Sequence, residues 1–291
     1  MNRQNRASKI IVYTVLILLA LLFAMPVFIV FTNSFMTHFE VSNRYTHHVG
    51  PGNFHYAEGV FHYARMAFIP DFVSFSQYFS LLLGSPNYLI RLWNSVILAL
   101  PIVLGQVLLT APAAYAFELS RVRHKEKLYF VYIVIMLIPL QVALVPNFIV
   151  AGWFGIQESR LAIILPAMLN PFGVFLIRQY LRSLAHDYIE AAEIDGAGHL
   201  RIMYFIVMPM FKPALAALVV LTMVESWNLV EQPIIFLDAA QEPLSVYLAV
   251  MAAAQMDIIF AASFFYLLPP VLMFLYWKEH IVEGISLSGI R

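Results

Sequence analysis

Hydrophobic residues in this chain fall in long unbroken runs, separated by shorter polar stretches. A helix needs roughly 20 consecutive apolar residues to cross about 30 Å of hydrocarbon. Six runs qualify: residues 10–32, 93–117, 128–150, 161–181, 213–236 and 258–277. They predict an all-α integral membrane protein with about six transmembrane helices. Lipid offers the backbone no hydrogen-bond partner, and a helix satisfies its own. The first run follows Arg3, Arg6 and Lys9, as in a signal peptide. It is longer than the roughly 7–15 residues of a signal core, and no small-x-small cleavage site follows it. It reads as a retained span.

Lysine and arginine orient the spans. Thirteen of the seventeen lie on one side: Arg3, Arg6 and Lys9, the cluster from Arg121 to Lys127, the set from Arg178 to Lys212, Lys278 and Arg291. The other side holds only Arg44, Arg65, Arg91 and Arg160. Both termini and the loop between spans four and five are therefore expected in the cytoplasm. The chain divides into an N-terminal helix (1–32), an external loop (33–87) and a core (88–291) with a cytoplasmic loop at about 182–212. In the external loop Phe54-His55-Tyr56-Ala57 recurs as Phe61-His62-Tyr63-Ala64, and Phe68 follows at the same interval. That spacing predicts an amphipathic helix on the outer surface. The loop carries five of nine histidines, but none at a metal-ligand spacing, so no metal site is expected.

Spans two to four carry breakers and amides: Asn94, Pro101, Gln106, Pro112, Pro139, Gln141, Pro146, Asn147, Pro166, Asn170, Pro171 and Gly173. Interior prolines kink helices, and such irregularity should face other helices or a wet cavity. In the fifth span Glu225 lies about 18 Å from Pro213 at about 1.5 Å per residue, near mid-membrane. Intramembrane carboxylates usually face the bundle interior or water. Asn228 and Gln232 share its helical face, and Trp227 and Glu231 are neighbours. Pro233 leaves the Leu229 carbonyl without its usual donor. Glu225, Trp227, Asn228 and Gln232 are thus candidates for a path taking a hydroxyl-rich solute. Structural pairing of Glu225 within the bundle is an equal reading.

Composition narrows the classes. The chain is 62% hydrophobic and 12% charged, where soluble domains carry about 25% charged residues. The formal net charge of zero argues against nucleic acid as a partner. The absence of cysteine excludes disulfides, thiolate metal sites and cysteine nucleophiles. No P-loop, H-E-x-x-H or G-x-S-x-G pattern is present, so no catalytic residue is assigned.

The longest polar interruption in the second half runs from Glu190-Ala191-Ala192 through Asp195-Gly196 to Ile206-Val207-Met208-Pro209. Small alanines allow close approach to a partner, Gly196 can end a helix, and a new helix can start at Pro209. This run resembles the loop of ABC-transporter permeases: E-A-A, three residues, Gly, nine residues, then I-x-L-P. Glu190, Ala191, Ala192, Gly196, Ile206 and Pro209 match, and Met208 replaces the leucine. The tail is similar to the C-terminus of carbohydrate-type permeases at Gly284, Ser286, Ile290 and Arg291, with Ser288 departing from it. The Trp227-Asn228 pair is also similar to that subfamily. One span before the external loop resembles the shorter permease of maltose-type importers.

The resemblance implies a permease subunit of a binding-protein-dependent importer in the bacterial inner membrane, without an ATPase site of its own. ATP and magnesium would sit on two copies of a cytoplasmic ATP-binding subunit. A second homologous permease and an extracytoplasmic solute-binding protein would complete the assembly in membrane lipid. The 182–212 loop would be the coupling helix, with Glu190, Ala191, Ala192, Asp195, Gly196, Ile206 and Pro209 transmitting ATPase movement. The solute would be a sugar or oligosaccharide, with a polyol or glycerophosphodiester next. Two other readings are a membrane enzyme acting on a lipid-linked substrate and an ion-coupled carrier using Glu225.

Overall fold

The computed structural model describes residues 3–45, 67–84, 86–119, 122–184, 186–254 and 258–288. These residues are almost entirely helical. Among the described residues, four helical stretches (9–33, 87–119, 161–182 and 259–279) are long and apolar enough to cross a membrane, the third with a short interruption, and up to six spans result if two sharply bent pairs each count as one. The recurring Phe-His-Tyr-Ala segment falls largely outside the described residues.

The chain forms two compact units. The first comprises residues 1–90 and 247–268. Its α1 (Arg3–Asn33) exposes nearly every apolar side chain from Ile10 to Phe28. Past its end come α2 (His38–Tyr45) and α3 (Ser76–Leu83). A helix end leaves carbonyls without intrahelical donors. Here buried Gln77 supplies them: its amide nitrogen donates to the carbonyls of Asn33 at 2.8 Å and Met36 at 3.0 Å. Its amide oxygen accepts from the Ala261 N–H at 3.3 Å, on α15 (Ile259–Ser288). Ring contacts of Phe31 with Phe264 and Tyr78 with Phe265 reinforce the junction.

The second unit comprises residues 91–246 and 269–291. Most of α4 (Asn87–Leu119) runs through it, with Pro101 and Pro112 inside the helix. It contributes Leu98 and Ile102 to one buried cluster with Ile163 and Phe236, and Ala111 and Ala114 to another with Ile177, Ile202 and Leu218. Gly173 lets α8 (Pro171–Leu184) approach closely. A Cβ there would lie 2.9 Å from Thr110 Oγ1 and 3.0 Å from Leu218 Cδ1.

Three of the six expected spans are broken. Residues 128–150 become α5 (Lys125–Met136) and α6 (Leu140–Trp153), bent by 103° where Pro139 cannot continue the ladder. Residues 161–181 become α7 (Leu161–Met168) and α8, parted at Leu169 and Asn170. Pro171 disfavours helical geometry at Asn170, whose side-chain oxygen instead caps the Phe172 N–H at 3.0 Å. Residues 213–236 become α12 (Lys212–Trp227) and α13 (Glu231–Phe236). The Leu229 carbonyl orphaned by Pro233 does find a donor, the Ser245 hydroxyl at the start of α14 (Leu244–Ala254).

Candidate functional site

The polar loop of the second unit folds into an elbow. After α9 (His186–Ile194), Gly196 takes φ +79°, a left-handed conformation that suits a residue without Cβ. The Gly196 N–H donates to the Glu193 carbonyl and the Ala197 N–H to the Ala192 carbonyl, both at 3.0 Å. This crossed pair closes the helix C-terminus, and Ala192 and Ala197 meet in the same apolar cluster beneath it. The chain re-enters a helix at α10 (His199–Ile202), which runs into a wide turn at Met203–Val207 and then α11 (Met208–Met210). Pro209 has no N–H to give, and the turn before it widens so that Met208 N–H bonds the Met203 carbonyl. Pro209 sits in the first turn of α11, and a further helix starts at Lys212 after a 76° bend.

The elbow has two faces. Ile189, Ala192, Ile202 and Val207 are buried against Tyr115 of α4 and Leu181 of α8. Ile206 is half-buried on the same cluster. Glu190, Ala191, Glu193, Ile194, Asp195, Gly196 and Pro209 are exposed, as are Tyr188, Leu200 and Phe205. Of the two alanines expected to meet a partner, only Ala191 faces outward. Ala192 packs inward because a nine-residue helix resting on a core must bury one face.

The elbow's support is electrostatic as well as apolar. Arg178 of α8 is 2% exposed. Its Nε donates to Glu118 of α4 at 2.9 Å, its Nη2 donates to Glu126 of α5 at 2.6 Å, and its guanidinium stacks 3.8 Å over the Tyr129 ring. Lys125 Nζ donates to the Glu118 carbonyl at 2.5 Å. Arg178 and Lys125 count in the sequence only as orienting charges, and the convergence of this cluster from three helices leaves no local signature.

A half-open cavity of about 420 Å³ lies between the broken helices of this unit. Glu225 and Gln232 line it, together with Gln106, Asn147, Asn170, Thr222, Ser226 and Tyr132. Gln106, Asn147 and Asn170 are amides that the sequence placed among the helix breakers. Buried Gln106 is fixed: it accepts from the Thr222 hydroxyl, and its nitrogen donates to the Ala167 carbonyl at 3.2 Å. Asn170 Nδ2 lies 3.5 Å from Glu225 Oε2. Trp227 and Asn228 are not among the residues lining this cavity. Trp227 is buried, and the helix ends there, so Asn228 leaves the helical face it was expected to share. The Asn228 side chain folds back onto the Val224 carbonyl at 2.7 Å. Glu231 accepts from Gln141 Nε2 at 3.1 and 3.2 Å instead of lining the cavity. Among the described residues no group of three potential ligands could hold a metal ion.

The family described as "Binding-protein-dependent transport system inner membrane component" matches residues 2–281. The arabinooligosaccharides transport system permease protein AraQ of Bacillus subtilis is 26% identical over 226 residues, covering 76% of this chain and 80% of AraQ. The sn-glycerol-3-phosphate transport system permease protein UgpE of Yersinia enterocolitica is 29% identical over 208 residues, covering 69% and 74%. A bacterial ABC transporter involved in import of the acidic polysaccharide alginate shares the fold. One chain of it superposes with TM-score 0.76 at 22% identity, covering 97% of this chain and 99% of that one. A structure of the bacterial alginate ABC transporter in complex with alginate pentasaccharide-bound periplasmic protein matches with TM-score 0.58 at 17% identity, over 71% and 82%.

Proposed function

The chain belongs to the family of binding-protein-dependent transport system inner membrane components, and from that premise we propose that its elbow receives the stroke of a separate ATP-hydrolysing subunit and moves a saccharide through the cavity of the second unit. It is a transporter component, a permease. Two ATP-binding subunits, each with ATP and magnesium, would engage the cytoplasmic face of a pair of permeases, this chain and a homologue. A solute-binding protein would deliver the sugar or oligosaccharide from outside the bacterial inner membrane. A relative named for arabinooligosaccharide transport supports a saccharide solute.

One observation carries the reading: the elbow exposes apolar side chains while resting on a rigid base. Ile194 is 86% exposed and Leu200 72%, on two short helices joined through Gly196. Beneath them the buried face is continuous with the helices that lead to the cavity. Exposed apolar groups rimmed by Glu190, Glu193 and Asp195 mark a protein contact. A push on that face would be passed to α8 and α4 through packed side chains, and through α12 to Glu225. Gln106, Glu225 and Gln232 would meet the solute.

The chain has no cysteine, so single replacements are unambiguous probes. Ile194→Cys and Leu200→Cys, each paired with a cysteine on the groove of the ATPase subunit, should cross-link in the assembled importer. Their cross-linking yield should change between nucleotide-free and ATP-bound states. Cross-links that form equally well from Glu158→Cys would show that the elbow is not the docking face.

A further inference from the structure

The cavity around Glu225 carries a chemical preference that separates the solutes its relatives are named for, neutral arabinooligosaccharides and anionic glycerol 3-phosphate. Among the described residues, its lining holds one carboxyl group and no lysine, arginine or histidine. Its remaining polar groups are amides and hydroxyls. Gln232 is 8% exposed, and its amide oxygen is buried with no hydrogen-bond partner among the described residues. Such an orphaned acceptor calls for a donor. Glu225 adds acceptor oxygens on the same cavity. Hydroxyl groups donate to both. Fully ionised carboxylate and phosphate oxygens only accept, and in a partly desolvated site they need a guanidinium or ammonium beside them. The cavity supplies neither. Apolar lining from Ile102, Met136 and Leu229 matches the carbon face of a sugar ring. The volume lies at the lower end of the roughly 300–1,000 Å³ of small-molecule sites.

We infer that this cavity takes an uncharged polyhydroxyl solute, a neutral saccharide unit or sugar alcohol, and rejects anionic saccharides and sugar phosphates. The inference rests on the permease reading above and sharpens its substrate class. Glu225 is the residue that sets the discrimination. Two like charges about 6 Å apart at an effective dielectric of about 20 repel by enough to shift an equilibrium roughly 100-fold. Gln232 contributes to recognition by accepting from a solute hydroxyl.

The test uses the assembled complex of both permeases and the ATPase subunit, at defined ionic strength. Equilibrium binding is measured for maltotriose, arabinotriose, raffinose and sorbitol, and for trigalacturonate and glycerol 3-phosphate. At least one neutral probe should bind, compete with the others and outcompete both anions. Glu225→Gln should raise the anion-to-neutral binding ratio by about 10- to 100-fold. Gln232→Met should weaken neutral binding by roughly 5- to 10-fold. Either anion binding as tightly as every neutral probe, no neutral probe binding at all, or a ratio unmoved in a monodisperse Glu225→Gln complex overturns the inference. ATP hydrolysis by the co-purified complex is read separately, without solute. If no ATP-hydrolysing subunit assembles with the chain, the permease reading fails, whatever the binding panel shows.

Discussion

Arg178 and Glu118 form a buried ion pair between two helices, with Nε 2.9 Å from Oε2 and side-chain exposures of 2% and 9%. Burying two charges is costly, and removing one partner leaves the other uncompensated. The pair is completed by Glu126 at 2.6 Å, which is 65% exposed and therefore screened. The prediction is an unequal response. Arg178→Ala should destabilise by about 3–5 kcal/mol, whereas Glu126→Ala, at a solvent-screened carboxylate, should leave stability nearly unchanged. Thermal unfolding in detergent, followed by tryptophan fluorescence, checks it. Equal shifts from the two variants would mean that the pair is not buried in the native protein.

The two faces of the elbow make neighbouring alanines behave differently. Ala192 is 7% exposed within the apolar cluster, and Ala191 faces outward. Ala192→Leu should overpack the cluster, at about 1–3 kcal/mol, and lower the yield of folded permease. Ala191→Leu should leave yield unchanged and reduce ATP-driven uptake. Gly196→Asp meets no steric obstacle among the described residues, none of which lies within 4 Å of an added Cβ. Its cost is the left-handed backbone, about 1–2 kcal/mol, so the variant should fold and fail in coupling. Size-exclusion profiles set against uptake separate the two classes.

The break between α12 and α13 depends on one hydroxyl. Ser245 Oγ donates to the Leu229 carbonyl, which Pro233 cannot serve. Ser245→Ala should destabilise by about 1 kcal/mol, toward the lower end of the cost of an unsatisfied acceptor because this carbonyl is only partly buried. Pro233→Ala restores an N–H four residues beyond Leu229. The double variant should therefore lose less than the sum of the single ones, by at least about 0.5 kcal/mol. Strict additivity in thermal unfolding would show that Leu229 does not share the two donors.

What the sequence made legible follows the range of the interactions. Gly196 and its helix end are set by bonds within six residues, and the elbow could be read from Glu190 to Pro209 without coordinates. The apolar runs likewise fixed where helices lie. Their breaks were harder. Pro139 and Pro171 announced a kink, but not a 103° bend or a gap of two residues. The break at Asn228 holds no proline, and Leu229 and Val230 continue the apolar run, so the pattern passes through it. Its stabilising donor, Ser245, comes from sixteen residues away. The Arg178 cluster draws on residues 118, 126 and 178, and no local spacing encodes it. For the cavity, Glu225 and Gln232 were visible because charge and amide are rare in apolar runs, while Thr222 and Ser226 look like ordinary helix residues.

Orientation rests on the distribution of thirteen against four basic residues, a bias that acts during insertion and leaves no mark on the folded geometry. It makes opposite forecasts for two exposed positions. Leu200 lies on the elbow and Glu158 on the turn after α6, where it takes φ 58°. In spheroplasts, Glu158→Cys should react with a membrane-impermeant maleimide at once. Leu200→Cys should react only after permeabilisation, by at least about tenfold in rate. Because the chain has no cysteine of its own, each signal belongs to one position. Labelling of Leu200→Cys in sealed spheroplasts would put the elbow outside the cell, beyond reach of any ATP-hydrolysing partner.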